Sequence, residues 1–161
     1  MNIRAAERGD HAPIRDLLVT AFPGPGEAEL VERLRSEGDC SIELVAEDGQ
    51  QIVGHIFFSP ARAPFRALAL GPVAVAPERQ SQGIGAALIE TGHDLARAQG
   101  WDAIFLLGDP AYYQRFGYDA ALAAGFSSPY AGTHFMALAL DGPLSALHGD
   151  VHYARAFADL S

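Results

Sequence analysis

The chain has 161 residues, a length that predicts one domain over residues 1–161 with a core of its own. Its formal net charge of -9 argues against nucleic acid or an anionic membrane as a partner and suits a cationic ligand, although the same charge would serve solubility alone. One cysteine, Cys40, excludes an internal disulfide, and the polar first ten residues argue against a secretory signal, so we expect a cytoplasmic protein.

The N-terminal part of the chain predicts a strand and two helices. The strand covers Asn2–Ala6, and the first helix begins at the N-cap Asp10 and ends at the Pro-Gly-Pro-Gly run 23–26. The second helix ends at Gly38, and its charged residues, among them Glu27, are expected to face solvent. Apolar residues at helical spacing predict the buried faces of both helices: Ile14, Leu17, Leu18, Leu30, Val31 and Leu34.

Three strands are predicted next. Ser41–Glu47 and Gln51–Ser59 read as an antiparallel pair, because an Asp-Gly hairpin signal lies between them. A third strand covers about Phe65–Ala76 and is interrupted by Gly71-Pro72, where the proline has no N–H to donate to a neighbouring strand. We therefore expect a bulge that splays the third strand from the next one and leaves backbone groups facing a cleft.

A glycine-rich turn follows Pro77 and leads into a helix of about Gly83–Gln99. Gly83 and Gly85 carry no side chain that would keep a bulky anion away from the first backbone N–H groups of the helix. The helix dipole contributes only about 0.3 to 1 kcal/mol, whereas each hydrogen bond to a charged group contributes about 1.5 to 3 kcal/mol. Several aligned N–H groups must therefore hold the ligand, and a pyrophosphate fits them.

Two familiar nucleotide-binding loops do not match this turn. A dinucleotide fingerprint would need a glycine where the chain has Leu88. A phosphate-binding P-loop would need a lysine, and every basic residue of this chain is arginine.

The remaining elements follow in order. A buried parallel strand is predicted over Trp101–Leu107, so that the glycine-turn helix becomes a strand-helix-strand crossover. A short helix with Asp109 as N-cap comes next, and closing strands are expected over Met136–Leu140 and Gly149–Phe157. The uncharged stretch 120–140 is broken by glycine, serine and proline, so it predicts no membrane span, and the histidines near the end lack a third metal ligand.

Two motifs in this order resemble the GNAT superfamily of N-acetyltransferases. The first is Gln80-x-x-Gly83-x-Gly85 directly after Val75-x-Pro77, and the second is Tyr112-Tyr113-Gln-Arg-Phe116-Gly117-Tyr118. The resemblance implies an α/β (α+β) fold with a mixed, mostly antiparallel sheet of about 6–7 strands. That sheet would be splayed at the coenzyme A (CoA) site and flanked by about 4 helices.

The resemblance also implies a ligand and its site. Acetyl-CoA would be the co-substrate, with its pantetheine arm paired to the backbone of Val73 and Val75 and with the Val73 N–H stabilising the oxyanion. Tyr113 would donate a hydrogen bond to the departing thiolate, and Tyr112 is an alternative donor. The diphosphate and its surroundings would be bound by Gln80, Ser81, Gln82, Gly83, Ile84, Gly85 and Ala86.

The base that deprotonates the amine is left unassigned. Many relatives place a glutamate on the strand before the CoA turn, but Phe65–Ala76 holds no carboxylate. Glu43, His55, Ser59 and Glu78 are positional candidates only. An alkylammonium has a pKa near 10.4, so making it neutral at pH 7 costs about 4 to 5 kcal/mol and some base or water path must help.

We therefore expect an enzyme that transfers the acetyl group of acetyl-CoA to a primary amine of a small molecule or peptide, by direct attack in a ternary complex. Two alternatives stay open: a CoA-binding sensor or interaction module without efficient catalysis, and transfer of a longer acyl group or to oxygen. No metal, nucleic acid or membrane partner is expected, and a homodimer is not excluded.

Overall fold

The structure is a computed structural model, and it describes residues 1–159. Its strands are β1 (Asn2–Ala5), β2 (Ile42–Asp48), β3 (Gln51–Ala61), β4 (Ala67–Val75), β5 (Ala103–Leu107), β6 (Phe126–Ser127), β7 (Phe135–Ala139) and β8 (Gly149–Asp150). Its α-helices are α1 (His11–Ala21), α2 (Gly26–Ser36), α3 (Ile84–Ala98), α4 (Pro110–Tyr113) and α5 (Ala120–Ala123). Short 3₁₀ turns cover Arg8–Asp10, Pro77–Arg79, Gln114–Phe116 and Arg155–Asp159.

The main sheet has six strands in the order β1-β2-β3-β4-β5-β7. Every neighbouring pair is antiparallel except β4 and β5, which are parallel and are connected through α3. The two-residue strands β6 and β8 pair separately. The predicted fold class, a mixed and mostly antiparallel sheet with a crossover helix, is confirmed.

Two layers of helix cover the sheet. One apolar cluster joins α1 and α2 to Val45, Phe57 and Ala74 of the central strands. A second cluster joins α3 to the alternate residues of the same strands, including Leu44, Ile56 and Phe58. Because strand side chains alternate between faces, the two clusters lie on opposite sides of the sheet.

Close packing of α3 depends on a glycine. A Cβ at Gly92 would overlap the ring of Phe58, which is fully buried. The glycine lets the middle of the helix approach the sheet closely.

Strand β4 separates from β5 after three residues. The parallel pairing covers only Ala67–Ala69 against Ala103–Phe105, whereas β4 continues to Val75. The register against β3 also shifts between Ile56 and Phe58, opposite Gly71-Pro72. The predicted bulge and splay are confirmed, and the cleft they open faces the start of α3.

The predicted closing strand over Gly149–Phe157 is wrong for most of its length. Only Gly149–Asp150 forms a strand, His152 makes an isolated bridge to Arg62, and Arg155–Asp159 is a 3₁₀ turn. The apolar alternation that suggested a strand reflects burial of Val151 and Tyr153 against an aromatic cluster. Burial on one side gives the same alternation without a continuous ladder.

A buried ionic network connects α2 to the sheet. The Arg35 guanidinium donates to both oxygens of Glu43, at 3.1 Å and 2.6 Å, and His55 Nε2 lies 2.8 Å from Glu43 Oε2. Burial opposes ionisation of Glu43, but the hydrogen bonds from His55 and Arg35 outweigh it and lower its pKa to about 2. Burial lowers the pKa of His55, so the ring is neutral and donates its Nε2–H to the carboxylate.

We expect Glu43→Gln to lower the free energy of unfolding by about 3 to 5 kcal/mol at pH 7, because it leaves the Arg35 side chain, which is only 14% exposed, without its counter-charge. The folded pKa of Glu43, about 2, lies below its ordinary value of 4.5, so this stabilisation is present above pH 4.5 and is lost between pH 4.5 and 2. Urea unfolding across this range measures both effects. Glu32→Gln is the control, since it breaks only the exposed pair with Arg15 and should cost less than about 1 kcal/mol.

Candidate active site

Two cavities meet beside the splayed end of β4. The turn cavity, about 660 Å³, lies over the start of α3, and the aromatic cavity, about 350 Å³, lies towards α2 and the C-terminal segment. Val73 and Tyr113 line both cavities. The structure thus brings two residues that the sequence predicted as catalytic to the junction of two spaces.

The turn cavity contains most of the predicted CoA-binding residues. Gln82 does not line it, and its side-chain oxygen instead accepts a hydrogen bond from Arg79 Nε at 3.3 Å. The predicted residues that line it are Val73, Val75, Gln80, Ser81, Gly83, Ile84, Gly85 and Ala86.

The backbone of the turn leaves the first N–H groups of α3 open. Ser81 and Gly83 have left-handed backbone angles, φ +63° and φ +84°, and no side chain of residues 1–159 caps the helix. A Cβ at Gly83 would meet nothing within 4 Å. The bend is therefore not filled by protein side chains, and its N–H groups need an external acceptor.

Two arginines line the turn cavity that the sequence analysis did not assign. Arg79 forms an ion pair with Asp48 at 2.8 Å, and Arg115 lies over the ring of Tyr112, 4.7 Å from its centroid. No Asp or Glu lines this cavity among the described residues. In the sequence, Arg79 directly precedes Gln80 and Arg115 follows Tyr113 by two residues. This closeness to the two motifs is the signal by which the sequence could have identified both arginines.

The free edge of β4 presents the backbone of Val73 and Val75. The N–H of Ala76 donates to the Val53 carbonyl, so alternation directs the groups of Ala74 and Ala76 towards β3 and those of Val73 and Val75 away from it. The Gln80 side chain donates to the Val75 carbonyl at 3.3 Å, which agrees with this direction. The Val73 N–H faces the side that β5 leaves open.

Tyr113 is fixed by its surroundings. Asp109 caps α4 through a 3.0 Å hydrogen bond from the Ala111 N–H, as predicted. A Cβ at Gly108 would overlap the Tyr113 ring, and the ring of Tyr118 packs against it edge-on at 5.9 Å. Burial raises the pKa of Tyr113 to about 12, so the phenol stays protonated and can donate a hydrogen bond.

None of the four positional candidates for a base lies at the junction. Glu43 and His55 belong to the buried network, and Ser59 is fully buried. Glu78 lines a separate cavity against α1. Glu27 is different: the sequence analysis placed it towards solvent, but it lines the aromatic cavity, because the first turn of α2 lies over the splayed strand.

Within residues 1–159, no three His, Cys, Asp or Glu side chains are grouped so that they could hold a metal ion. No helix in the same part of the chain has the length and apolar character needed to cross a membrane.

Residues 11–118 match a family model described as the acetyltransferase (GNAT) family. The chain belongs to this family. It is 34% identical over 167 residues to the uncharacterized N-acetyltransferase YhbS of Escherichia coli K12, covering 98% of each chain. The predicted family and acetyltransferase activity are confirmed.

Solved structures of GNAT acetyltransferases have the same fold as this chain. YhbS from E. coli in complex with CoA superimposes with a TM-score of 0.93 at 31% identity, covering 99% of this chain and 93% of that one. A GNAT acetyltransferase from Brucella melitensis in complex with acetyl-CoA superimposes with a TM-score of 0.83 at 36% identity, covering 97% of each chain. CoA and acetyl-CoA bind these neighbours, which confirms the predicted co-substrate of this acetyltransferase.

We expect Gly83→Val to raise the Kd for CoA at least about 10-fold, which corresponds to about 1.4 kcal/mol. A β-branched residue is unfavourable at φ +84°, and the added side chain would enter the space where the anion approaches. Calorimetric titration with CoA measures the change.

Gly38→Val is the matched control, because Gly38 also has a left-handed φ of +79° and open space around its Cβ position but lies away from both cavities. It should lose similar stability and keep its CoA affinity. Wild-type affinity in Gly83→Val would show that the turn does not hold CoA.

Proposed function

We propose that this acetyltransferase transfers the acetyl group of acetyl-CoA to a primary amine of a small molecule or peptide, by direct attack while both substrates are bound. The observation that carries this proposal is the junction of the two cavities at Val73 and Tyr113. A thioester reaching the junction from one side would meet an amine from the other. One domain over residues 1–161 and a cytoplasmic location are part of the proposal.

In this proposal the turn cavity holds CoA. The N–H groups of residues 82–86 bind the diphosphate, and the guanidinium groups of Arg79 and Arg115 add positive charge to the same cavity. The pantetheine arm pairs with the open edge of β4 at Val73 and Val75. This arrangement brings the thioester carbonyl to the Val73 N–H, a fixed donor that stabilises the negative charge of the tetrahedral intermediate.

The reaction has three requirements: a neutral amine, a stabilised oxyanion and a hydrogen-bond donor for the departing thiolate. The neutral amine attacks the thioester carbon, the C–N bond forms, and collapse of the tetrahedral intermediate breaks the C–S bond and expels the thiolate. Tyr113 has a pKa of about 12, whereas a thiol titrates near 8.5, so full proton transfer from the phenol would cost about 5 kcal/mol. Tyr113 therefore serves by donating a hydrogen bond to the thiolate.

We expect Tyr113→Phe to lower kcat by about 10² with little change in the Kd for CoA, because only the thiolate loses its donor. Release of free thiol from acetyl-CoA with a panel of amines measures kcat, and calorimetry measures the Kd. Tyr112→Phe should have a smaller effect, since Tyr112 lines only the turn cavity.

An unchanged kcat in Tyr113→Phe would remove Tyr113 from the mechanism. Thermal stabilisation of the wild type by CoA without turnover of any amine would instead favour the sensor alternative.

A further inference from the structure

The aromatic cavity has an uneven chemical lining. Its polar side chains are the Glu27 carboxylate and three phenols, and none of its lining residues among the described part of the chain is Arg, Lys or His. The rings of Tyr130 and Tyr153 pack at 4.8 Å between centroids, and those of Tyr153 and Phe157 at 5.2 Å. One wall is therefore a continuous aromatic surface, and the cavity carries a single charge.

Glu27 has no counter-charge from the protein. Glu32 pairs with Arg15 and Glu43 pairs with Arg35, but Glu27 makes no hydrogen bond or ion pair with any residue of the range 1–159. It lies in the first turn of α2, where the helix dipole favours a carboxylate. A partly buried, unpaired carboxylate in a cavity without cations suits a cationic ligand.

The phenols do not alter this charge. Burial raises the pKa of Tyr113, Tyr130 and Tyr153, so all three stay neutral at physiological pH. Together with Glu27 they are all the titratable side chains that line the cavity within the described residues.

We propose that Glu27 binds the ammonium group of the acceptor and accepts its proton, and that the aromatic wall selects primary amines carried on an uncharged apolar group, such as arylalkylamines. This inference rests on the proposed function and names the substrate class of the same site. A second ammonium group on the acceptor would find no second carboxylate among the described lining residues, whereas an apolar or aryl group would bury its surface against the rings. The cavity volume of about 350 Å³ is in the range of small-molecule sites.

The proton balance follows from these groups. At pH 7 only about one alkylamine molecule in 10³ is neutral, so the ammonium must lose a proton before it attacks, and Glu27 relays that proton to solvent. The freed nitrogen pair then forms the C–N bond, and the C–S bond breaks. The nitrogen loses its second proton to the thiolate or to solvent, leaving the amide, CoA thiol and one proton.

The first test is Glu27→Gln, which keeps the shape of the side chain and removes the charge. We expect kcat/KM for 2-phenylethylamine to fall at least about 100-fold at pH 7, and the deficit to shrink below about 10-fold at pH 10, where the amine supplies its own free base. Glu27→Asp should recover part of the activity. The Kd for CoA should not change, because Glu27 does not line the turn cavity.

The control is Glu29→Gln, an exposed glutamate of the same helical turn that does not line the cavity, and it should stay within about 2-fold of wild type. A merely structural role of Glu27 would lower activity equally at both pH values, and this result would overturn the inference. Wild-type kcat/KM in Glu27→Gln would overturn it as well.

The second test compares amines in the wild-type enzyme. 2-Phenylethylamine and hexylamine should exceed spermidine in kcat/KM by at least about 10-fold, because the cavity offers apolar surface to their side chains but no second carboxylate to the further ammonium groups of spermidine. Preference for spermidine would overturn the substrate class while leaving the acetyltransferase proposal intact. CoA binding without turnover of any amine would overturn both.

Discussion

The separation of β4 from β5 is the feature on which the site depends. After Ala69 the parallel ladder stops, because Gly71-Pro72 interrupts the strand and a proline cannot donate to a neighbour. The Val73 and Val75 backbone is then left with one unpaired edge inside the fold. Unpaired backbone groups in a protein interior require partners. Because no strand pairs with this edge of β4, its N–H and C=O groups are available to bind a ligand. The two cavities meet at this edge.

Charge is divided between the two sides of that junction. Arg79 and Arg115 line the turn cavity, where the first N–H groups of α3 are also free, so this side attracts an anion. Glu27 is the single charged residue among the described residues lining the other cavity, so that side attracts a cation. A chain with a formal net charge of -9 thus keeps a local group of positive charges beside the start of α3. The net charge alone does not report this arrangement.

Glu43, one of the four positional candidates for the base, has a structural role instead. Glu43 is held by Arg35 and His55, and its pKa of about 2 makes it a poor proton acceptor near neutral pH. The network links α2 to the sheet at the same time as α2 presents Glu27 to the aromatic cavity. Anchoring one end of this helix therefore fixes the position of its first turn.

The sequence by itself determined the local units: the bulged strand at Gly71-Pro72, the glycine turn, the helix after it and the short helix capped by Asp109. Each of these is fixed by residues adjacent in the chain, through proline chemistry, backbone freedom and helical spacing. Only the tertiary structure decided that Glu27 and Arg115 reach the site and that 151–157 is not a strand. Periodicity indicates which face of an element is buried but not which distant element lies opposite it, and that pairing is set by packing across the whole fold.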